Sequence, residues 1–92
     1  MSNVTAVHTE ATGTLATGRR QLRGYHTISG GTAGDVIFRD GGASGTVRLQ
    51  FNIGTGTQPI AMNIPDDGIL FTTDVHVTLP TSAKITIFLQ VV

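Results

Sequence analysis

The sequence predicts an all-β protein, a small antiparallel β-sandwich or jelly-roll-like barrel with almost no helix. In the segment from Asp35 to Ile53, two runs that alternate apolar and polar residues flank a glycine-rich turn, which is the pattern of a β-hairpin. The 92 residues include 12 Gly but only four Phe and no Trp, so Val, Ile and Leu must fill the core, which favours sheet over helix. No stretch of ten or more residues places apolar side chains at helical spacing behind a helix start signal.

The chain divides into an N-terminal arm and one β-domain. Residues 1–20 are rich in Thr, Ala and Gly and carry few large apolar side chains. We therefore expect an extended arm with one or two short edge strands, ordered mainly by lying against another surface. A disordered tail is the alternative for this segment. Residues 21–92 are expected to form a single β-sandwich or jelly-roll-like domain.

The first strand of the domain is expected over residues 21–28, before a glycine-rich turn. Its residues alternate between two faces, and one face carries Leu22, Gly24, His26 and Ile28. Because side chains in a strand point alternately to opposite sides, these four residues are expected to lie together.

The hairpin at residues 35–53 supplies the next two strands. Val36 and Phe38 share one face of its first strand. The second strand is expected to direct four apolar residues to the same core, namely Val47, Leu49, Phe51 and Ile53.

The remaining strands alternate in the same way and are expected at residues 60–64, 69–71, 74–79 and 84–92. Pro65-Asp-Asp-Gly68 separates the first two as a turn, because Pro fixes φ near the value that a turn needs and Gly supplies a positive φ at its end. The segment from Pro80 to Ala83 turns the chain into the last strand.

The last strand carries apolar residues on both faces. Phe88 and Val92 lie opposite the run of Ile85, Ile87 and Leu89, so both faces are expected to be shielded from water. Either the N-terminal arm or a neighbouring subunit would cover the extra residues. In a chain this small the neighbour is favoured, which makes Phe88 and Val92 candidate subunit-interface residues.

The charge content argues for a protein partner. The formal net charge is zero and 13% of the residues are charged, about half the usual share, which argues against nucleic-acid binding. Arg19, Arg20 and Arg23 hold half of the six cations and suit bidentate contacts with a carboxylate-bearing protein surface. They are candidate docking residues, with a solvated junction as the alternative, and a neutral monomer is the alternative for the whole chain.

No residue pattern indicates catalysis or cofactor binding. The chain has no Cys, and His8, His26 and His76 lack a spacing that would bring two imidazoles together. His76 falls on the polar face of its strand with Asp74, where a carboxylate–histidine pair is structurally ordinary. We expect no enzyme activity, cofactor or small-molecule substrate. We also expect no metal, with weak calcium binding by the adjacent carboxylates Asp66 and Asp67 as the alternative to their role in the turn. The N-terminus lacks the pattern of an export signal and no window suits a membrane span, so synthesis in a cytoplasm is expected.

Three segments of the chain carry a set of motifs. The first is Val36-Ile-Phe-Arg-Asp-Gly-Gly-Ala-Ser-Gly-Thr-Val47, the second is Asn63-Ile-Pro-Asp-Asp-Gly-Ile-Leu-Phe-Thr-Thr-Asp-Val-His-Val-Thr-Leu-Pro80, and the third is Ile85-Thr-Ile-Phe88. In this order they resemble small structural proteins of tailed bacteriophages, especially marine and cyanobacterial ones. The resemblance covers about residues 24–90 and excludes the arm. The chain departs from the pattern at its end, Phe88-Leu-Gln-Val-Val92, so the resemblance implies nothing about the role of these residues.

The resemblance implies a capsid decoration, or cement, protein on the exterior of a virion, made in the host cytoplasm. Such proteins often form trimers and bridge subunits of the major capsid protein, so a homotrimer is the expected oligomer. A tail or fibre component, or a glycan-binding receptor-recognition domain, is the alternative function.

Overall fold

Nine strands and one 3₁₀ turn at Gly42–Ser44 make up the regular structure of the computed structural model, which describes residues 4–56, 59–64 and 68–91. The strands, in chain order, are β1 (Val4–Thr9), β2 (Gly13–Thr17), β3 (Arg20–Ile28), β4 (Asp35–Asp40), β5 (Thr46–Asn52), β6 (Ile60–Asn63), β7 (Ile69–Phe71), β8 (Asp74–Thr78) and β9 (Lys84–Val91). The predicted all-β fold with almost no helix is confirmed.

The strands form two antiparallel sheets with a jelly-roll arrangement. The order in the first sheet is β1-β9-β3-β6, with β7 paired to the N-terminal part of β3, and the order in the second is β2-β8-β4-β5. Laid over one another, these orders place β1 against β2, β9 against β8, β3 against β4, and β6 against β5. The chain therefore runs as a long hairpin rolled into two facing sheets, which is how a jelly roll is built.

The core lies between the two sheets and is filled from both. The largest side chains that are fully buried come from five strands and are Leu22, Val36, Phe38, Phe71, Val75, Val77, Ile85 and Ile87. The alternation of β4, β8 and β9 predicted their inward faces, because every second residue of a strand points to the same side.

Residues predicted as an N-terminal arm contribute one edge strand to each sheet. β1 pairs with β9 from Val4 to Thr9, and β2 pairs with β8 from Gly13 to Thr17. The surface against which this segment is ordered is therefore the sandwich itself. Its side chains are mostly exposed or half-buried, in keeping with its small residues.

A β-bulge in β3 makes the predicted face of His26 wrong. Pairing with β9 shifts between Leu22 and Gly24, so Arg23 is an extra residue and the alternation changes phase there. Beyond the bulge, Tyr25 faces the core and is 4% exposed, whereas His26 is exposed.

A second bulge makes the predicted inward face of Val47 wrong. In the pairing of β4 with β5, Phe38 is opposite Leu49 but Arg39 is opposite Val47, which leaves Arg48 as the extra residue. Leu49 keeps its place toward the core, while Val47 is 43% exposed.

The last strand is the second strand of the first sheet, with β1 on one side and β3 on the other. Phe88 lies on the outer face of that sheet, half-buried, with Ala6 and Gly24 as its register neighbours. Val92 and the Pro65–Asp67 part of the predicted turn lie outside the described residues.

Candidate functional site

The glycine-rich hairpin is locked to a second turn by a buried carboxylate. Asp40, at the end of β4, is 8% exposed. Its oxygens accept hydrogen bonds from the backbone N–H of Thr72 at 2.9 Å, Thr73 at 2.8 Å and Asp74 at 3.3 Å, and from the Thr72 hydroxyl at 3.0 Å. Asp40 thereby satisfies the backbone of the β7–β8 turn.

The two turns are joined in both directions, because Asp74 in turn accepts hydrogen bonds from the backbone of the hairpin turn. Its Oδ1 accepts hydrogen bonds from the N–H groups of Gly41 at 3.0 Å and Gly42 at 2.9 Å. Both glycines have positive φ, 109° and 82°, a conformation that residues with a Cβ rarely adopt. We call this pair of turns, joined through Asp40 and Asp74, the turn clamp.

The pKa of Asp40 lies well below its ordinary value of 3.8. Burial of the carboxyl group acts to raise this pKa, but the hydrogen bonds from Thr72, Thr73 and Asp74 to the charged form together outweigh it. Arg48 Nη2 adds an ion pair at 3.3 Å. Since the carboxylate oxygens are occupied by these donors, we assign Asp40 to stability of the fold.

An apolar strip is exposed where β5 faces β6. We call it the apolar edge and define it by Leu49, Phe51, Ile60 and Met62. Phe51 stacks on Tyr25 with ring centroids 4.6 Å apart, and the Tyr25 hydroxyl lies 3.7 Å from Met62 Sδ, so the strip is continuous. Ile60 is 39% and Met62 51% exposed.

The polar side chains of β5 reach back toward β4 and away from the apolar edge. Gln50 and Asn52 both donate to the Asp35 carboxylate, at 2.7 and 3.1 Å, and Arg48 pairs with Asp40. Within the described ranges, β5 pairs only with β4 and β6 only with β3. Two strand edges thus border an uncharged strip. Natural proteins usually cover such edges or use them to bind another chain, because their free backbone groups can pair with a further strand.

The three arginines proposed for docking do not share one surface. Arg19 is exposed just before β3. Arg20 is half-buried and lines a cleft between the sheets. Arg23 lies at the β3 bulge on the outer face of the first sheet, where Nη1 donates to Gln90 at 2.9 Å.

Two of the histidines meet on the outer face of the first sheet. His8 and His26 flank Thr86 in the strand register and line a shallow depression of about 190 Å³. His8 Nδ1 lies 2.9 Å from the Thr86 hydroxyl, and Nε2 lies 3.1 Å from Glu10 Oε2. The hydrogen bond with His8 is the main cause that lowers the pKa of Glu10.

His76 lies apart from the other two, in β8. It is 7% exposed although its strand position is on the polar face, and its Nδ1 has no partner among residues whose positions are described. The Asp74 carboxylate is directed to Gly41 and Gly42 instead. Across the described ranges, no cluster of three or more His, Cys, Asp or Glu side chains is arranged to hold a metal ion.

A cleft of about 280 Å³ opens between the sheets at the β1/β2 edge. Val7 of β1, Leu15 and Ala16 of β2, and Leu89 of β9 form its apolar walls, and Arg20 is the charged residue of its lining. The cleft lies at the opposite edge of the sandwich from the apolar edge.

Among the described residues, no helix has the length and apolar character needed to cross a membrane. No protein-family model matches the chain, and neither a curated protein nor a solved structure matches it.

Proposed function

We propose that the chain is a non-enzymatic structural protein of a bacteriophage virion, a decoration protein that binds the outer surface of the major capsid protein as an oligomer and stabilises the shell. The observation that carries the contact role is the apolar edge. The resemblance in the hairpin and turn motifs supplies the virion context and the expectation of a trimer.

The apolar edge suits a protein surface because it combines apolar side chains with free strand edges. Phe51 and Met62 carry apolar surface in this strip. Burying such surface against a partner stabilises the complex by roughly 25 cal/mol per Å². The outer edges of β5 and β6 present backbone donors and acceptors to which a partner strand can add. A ligand that lacks a backbone would leave those groups without partners.

The turn clamp supports the same role by making the domain rigid. A protein that strengthens a shell must transmit load without unfolding, and the clamp ties the β4–β5 and β7–β8 turns together through charged hydrogen bonds. Jelly rolls occur in viral capsid domains, lectins and cupins alike, so the fold by itself does not select among them.

Location on the particle tests the proposal. Virions of the phage that encodes the chain would be imaged by electron cryomicroscopy, and the sandwich would be fitted to the density. Copies on the capsid exterior would support decoration. Copies at the tail would support the alternative, and absence of the chain from purified particles would refute both.

A matched pair of variants tests the apolar edge. Met62→Glu places a charge in the strip, and Val4→Glu places one at a site of equal exposure on β1, 50% against 51%. Capsids lacking the protein would be incubated with each variant, and bound protein measured after sedimentation. We expect Met62→Glu to reduce binding at least tenfold and Val4→Glu to leave it within twofold. Equal binding of the two variants would contradict docking through this edge.

The second candidate is a tail, fibre or glycan-binding domain, favoured by the depression beside His8 and His26. Its lining adds Lys84 and Thr86, which offer hydrogen-bond donors of the kind that sugar hydroxyls need. Tyr25 is buried against Phe51 and therefore does not offer a stacking platform. A glycan array decides this candidate: specific binding that is lost in His26→Ala would replace the decoration proposal.

A further inference from the structure

Among the described residues that line the cleft at the β1/β2 edge, Arg20 is the cation and most of the others are apolar. Val7, Leu15 and Leu89 face the cleft from three strands of the two sheets, and Ala16 leaves space where a larger side chain would fill it. A volume of about 280 Å³ is nearly twice the roughly 150 Å³ of an engineered apolar cavity that holds benzene. A chain of about six carbons therefore fits.

Arg20 gives the cleft its charge preference. One of its N–H groups, on Nη1, donates to the Arg19 carbonyl at 3.0 Å, and the guanidinium has further donors to offer. Among the described residues, no carboxylate lies within ion-pair distance of it. Because a guanidinium binds a carboxylate through two parallel hydrogen bonds, the matching ligand group is a carboxylate.

We propose that this cleft binds a short aliphatic carboxylate, with its hydrocarbon chain between Leu15 and Leu89 and its carboxylate on Arg20. Hexanoate is the probe that fits the cavity. The inference does not rest on a virion role, since it concerns a site at the opposite edge of the sandwich from the apolar edge.

Hexanoate would be titrated into the protein while ¹H–¹⁵N spectra are recorded. We expect a dissociation constant of about 1 mM, with shifts concentrated at the amides of Leu15, Ala16 and Leu89. Affinity should fall by about fourfold for each methylene removed from the probe. Acetate, which lacks the chain, should not bind measurably.

Three comparisons distinguish specific binding in the cleft from nonspecific hydrophobic binding. Hexanol keeps the chain without the charge, and Arg20→Gln keeps the cleft without the cation; each should weaken binding about tenfold or more. Arg19→Gln is the matched control, because Arg19 is exposed and does not line the cleft. It should bind hexanoate as the wild type does.

Ala16→Leu fills the cleft and tests its location. We expect a folded protein, judged by its dispersed spectrum, that no longer binds hexanoate. The proposal is overturned if hexanol binds as well as hexanoate, if Arg20→Gln and Arg19→Gln have the same effect, or if no shifts arise at Leu15 and Leu89 up to 10-fold above the expected dissociation constant.

Discussion

At the scale of single residues, Asp40 makes five polar contacts, with Thr72 through two groups, and with Thr73, Asp74 and Arg48. Turn backbones leave N–H groups without partners, and a buried carboxylate satisfies several at once. The sequence motifs contain both partners of the clamp, an Asp before Gly-Gly and an Asp after Thr-Thr. Their mutual contact was not predictable, because it joins residues 34 positions apart.

Replacing the Asp40 carboxylate should lower stability substantially. Asp40→Asn keeps the size of the side chain but loses the charge and one acceptor, so backbone donors of Thr72 and Thr73 lose their buried partner. We expect a loss of about 2–4 kcal/mol in the free energy of unfolding, measured by urea denaturation. Asp35→Asn is the control, because Asp35 is exposed and its bonds are to side chains; it should cost less than about 1 kcal/mol. Equal losses would refute the assignment.

The same carboxylate makes stability depend on pH. Its pKa is lower in the folded protein than the ordinary value of 3.8, so it contributes stability at neutral pH that is lost as the pH falls below about 5 toward the folded pKa. Urea denaturation at several pH values between 7 and 2.5 should show the wild type losing its advantage over Asp40→Asn on acidification. A constant difference between the two proteins would contradict this prediction.

Gly45 is required for close approach. A Cβ at this position would collide with the backbone carbonyl of Asp40, whereas a Cβ at Gly13 would meet open space. Gly45→Ala should therefore cost about 1–3 kcal/mol, and Gly13→Ala should stay within about 1 kcal/mol of the wild type. Thermal denaturation of the two variants distinguishes them, and equal midpoints would contradict the packing of the turn.

At the scale of elements, alternation predicted where most strands lie but not where their phase changes. Val36, Phe38 and Val75 point inward as their pattern predicts. The bulge at Arg23 moves the residues that follow it in β3 to the other face of the sheet. The bulge at Arg48 does the same to the residues that precede it in β5. A bulge depends on the register with the neighbouring strand, which the local pattern does not contain.

The edge strands β1 and β2 are expected to be necessary for folding. Deleting residues 1–18 removes both, exposes the edges of β9 and β8, and leaves Leu15 and Val7 absent from the packing around the core. We expect the truncated protein to lose its cooperative thermal transition or to aggregate, as followed by circular dichroism and light scattering. A truncated protein that melts at the wild-type temperature would show that the segment is a dispensable arm.

At the scale of the whole molecule, the two edges of the sandwich differ in chemistry. One edge carries Phe51 and Met62 without a charge, and the other carries the cleft beside Arg20. Composition predicted a surface that favours contact with protein, because only 13% of the residues are charged. It did not predict the place, since β5 and β6 become neighbours only when the sheets stack. The proposed capsid role stays a prediction at this scale.

Salt distinguishes the apolar edge from the arginines as a docking surface. Raising NaCl from 50 to 500 mM shortens electrostatic screening to roughly 4 Å, so charged contacts weaken while apolar ones do not. We expect binding to capsids that lack the protein to change less than about threefold. A loss of tenfold or more would show that charged contacts, such as those available to the exposed Arg19, carry docking.

The position of β9 has a consequence for synthesis. This strand lies between β1 and β3, so the first sheet has no continuous ladder until residues 84–91 have left the ribosome. Its partners are separated from it by more than 50 residues, and such distant pairing is slow compared with local structure. Within the described sheet, β1 therefore has no partner strand, and β3 can pair only with β6 and β7, until β9 has been synthesised.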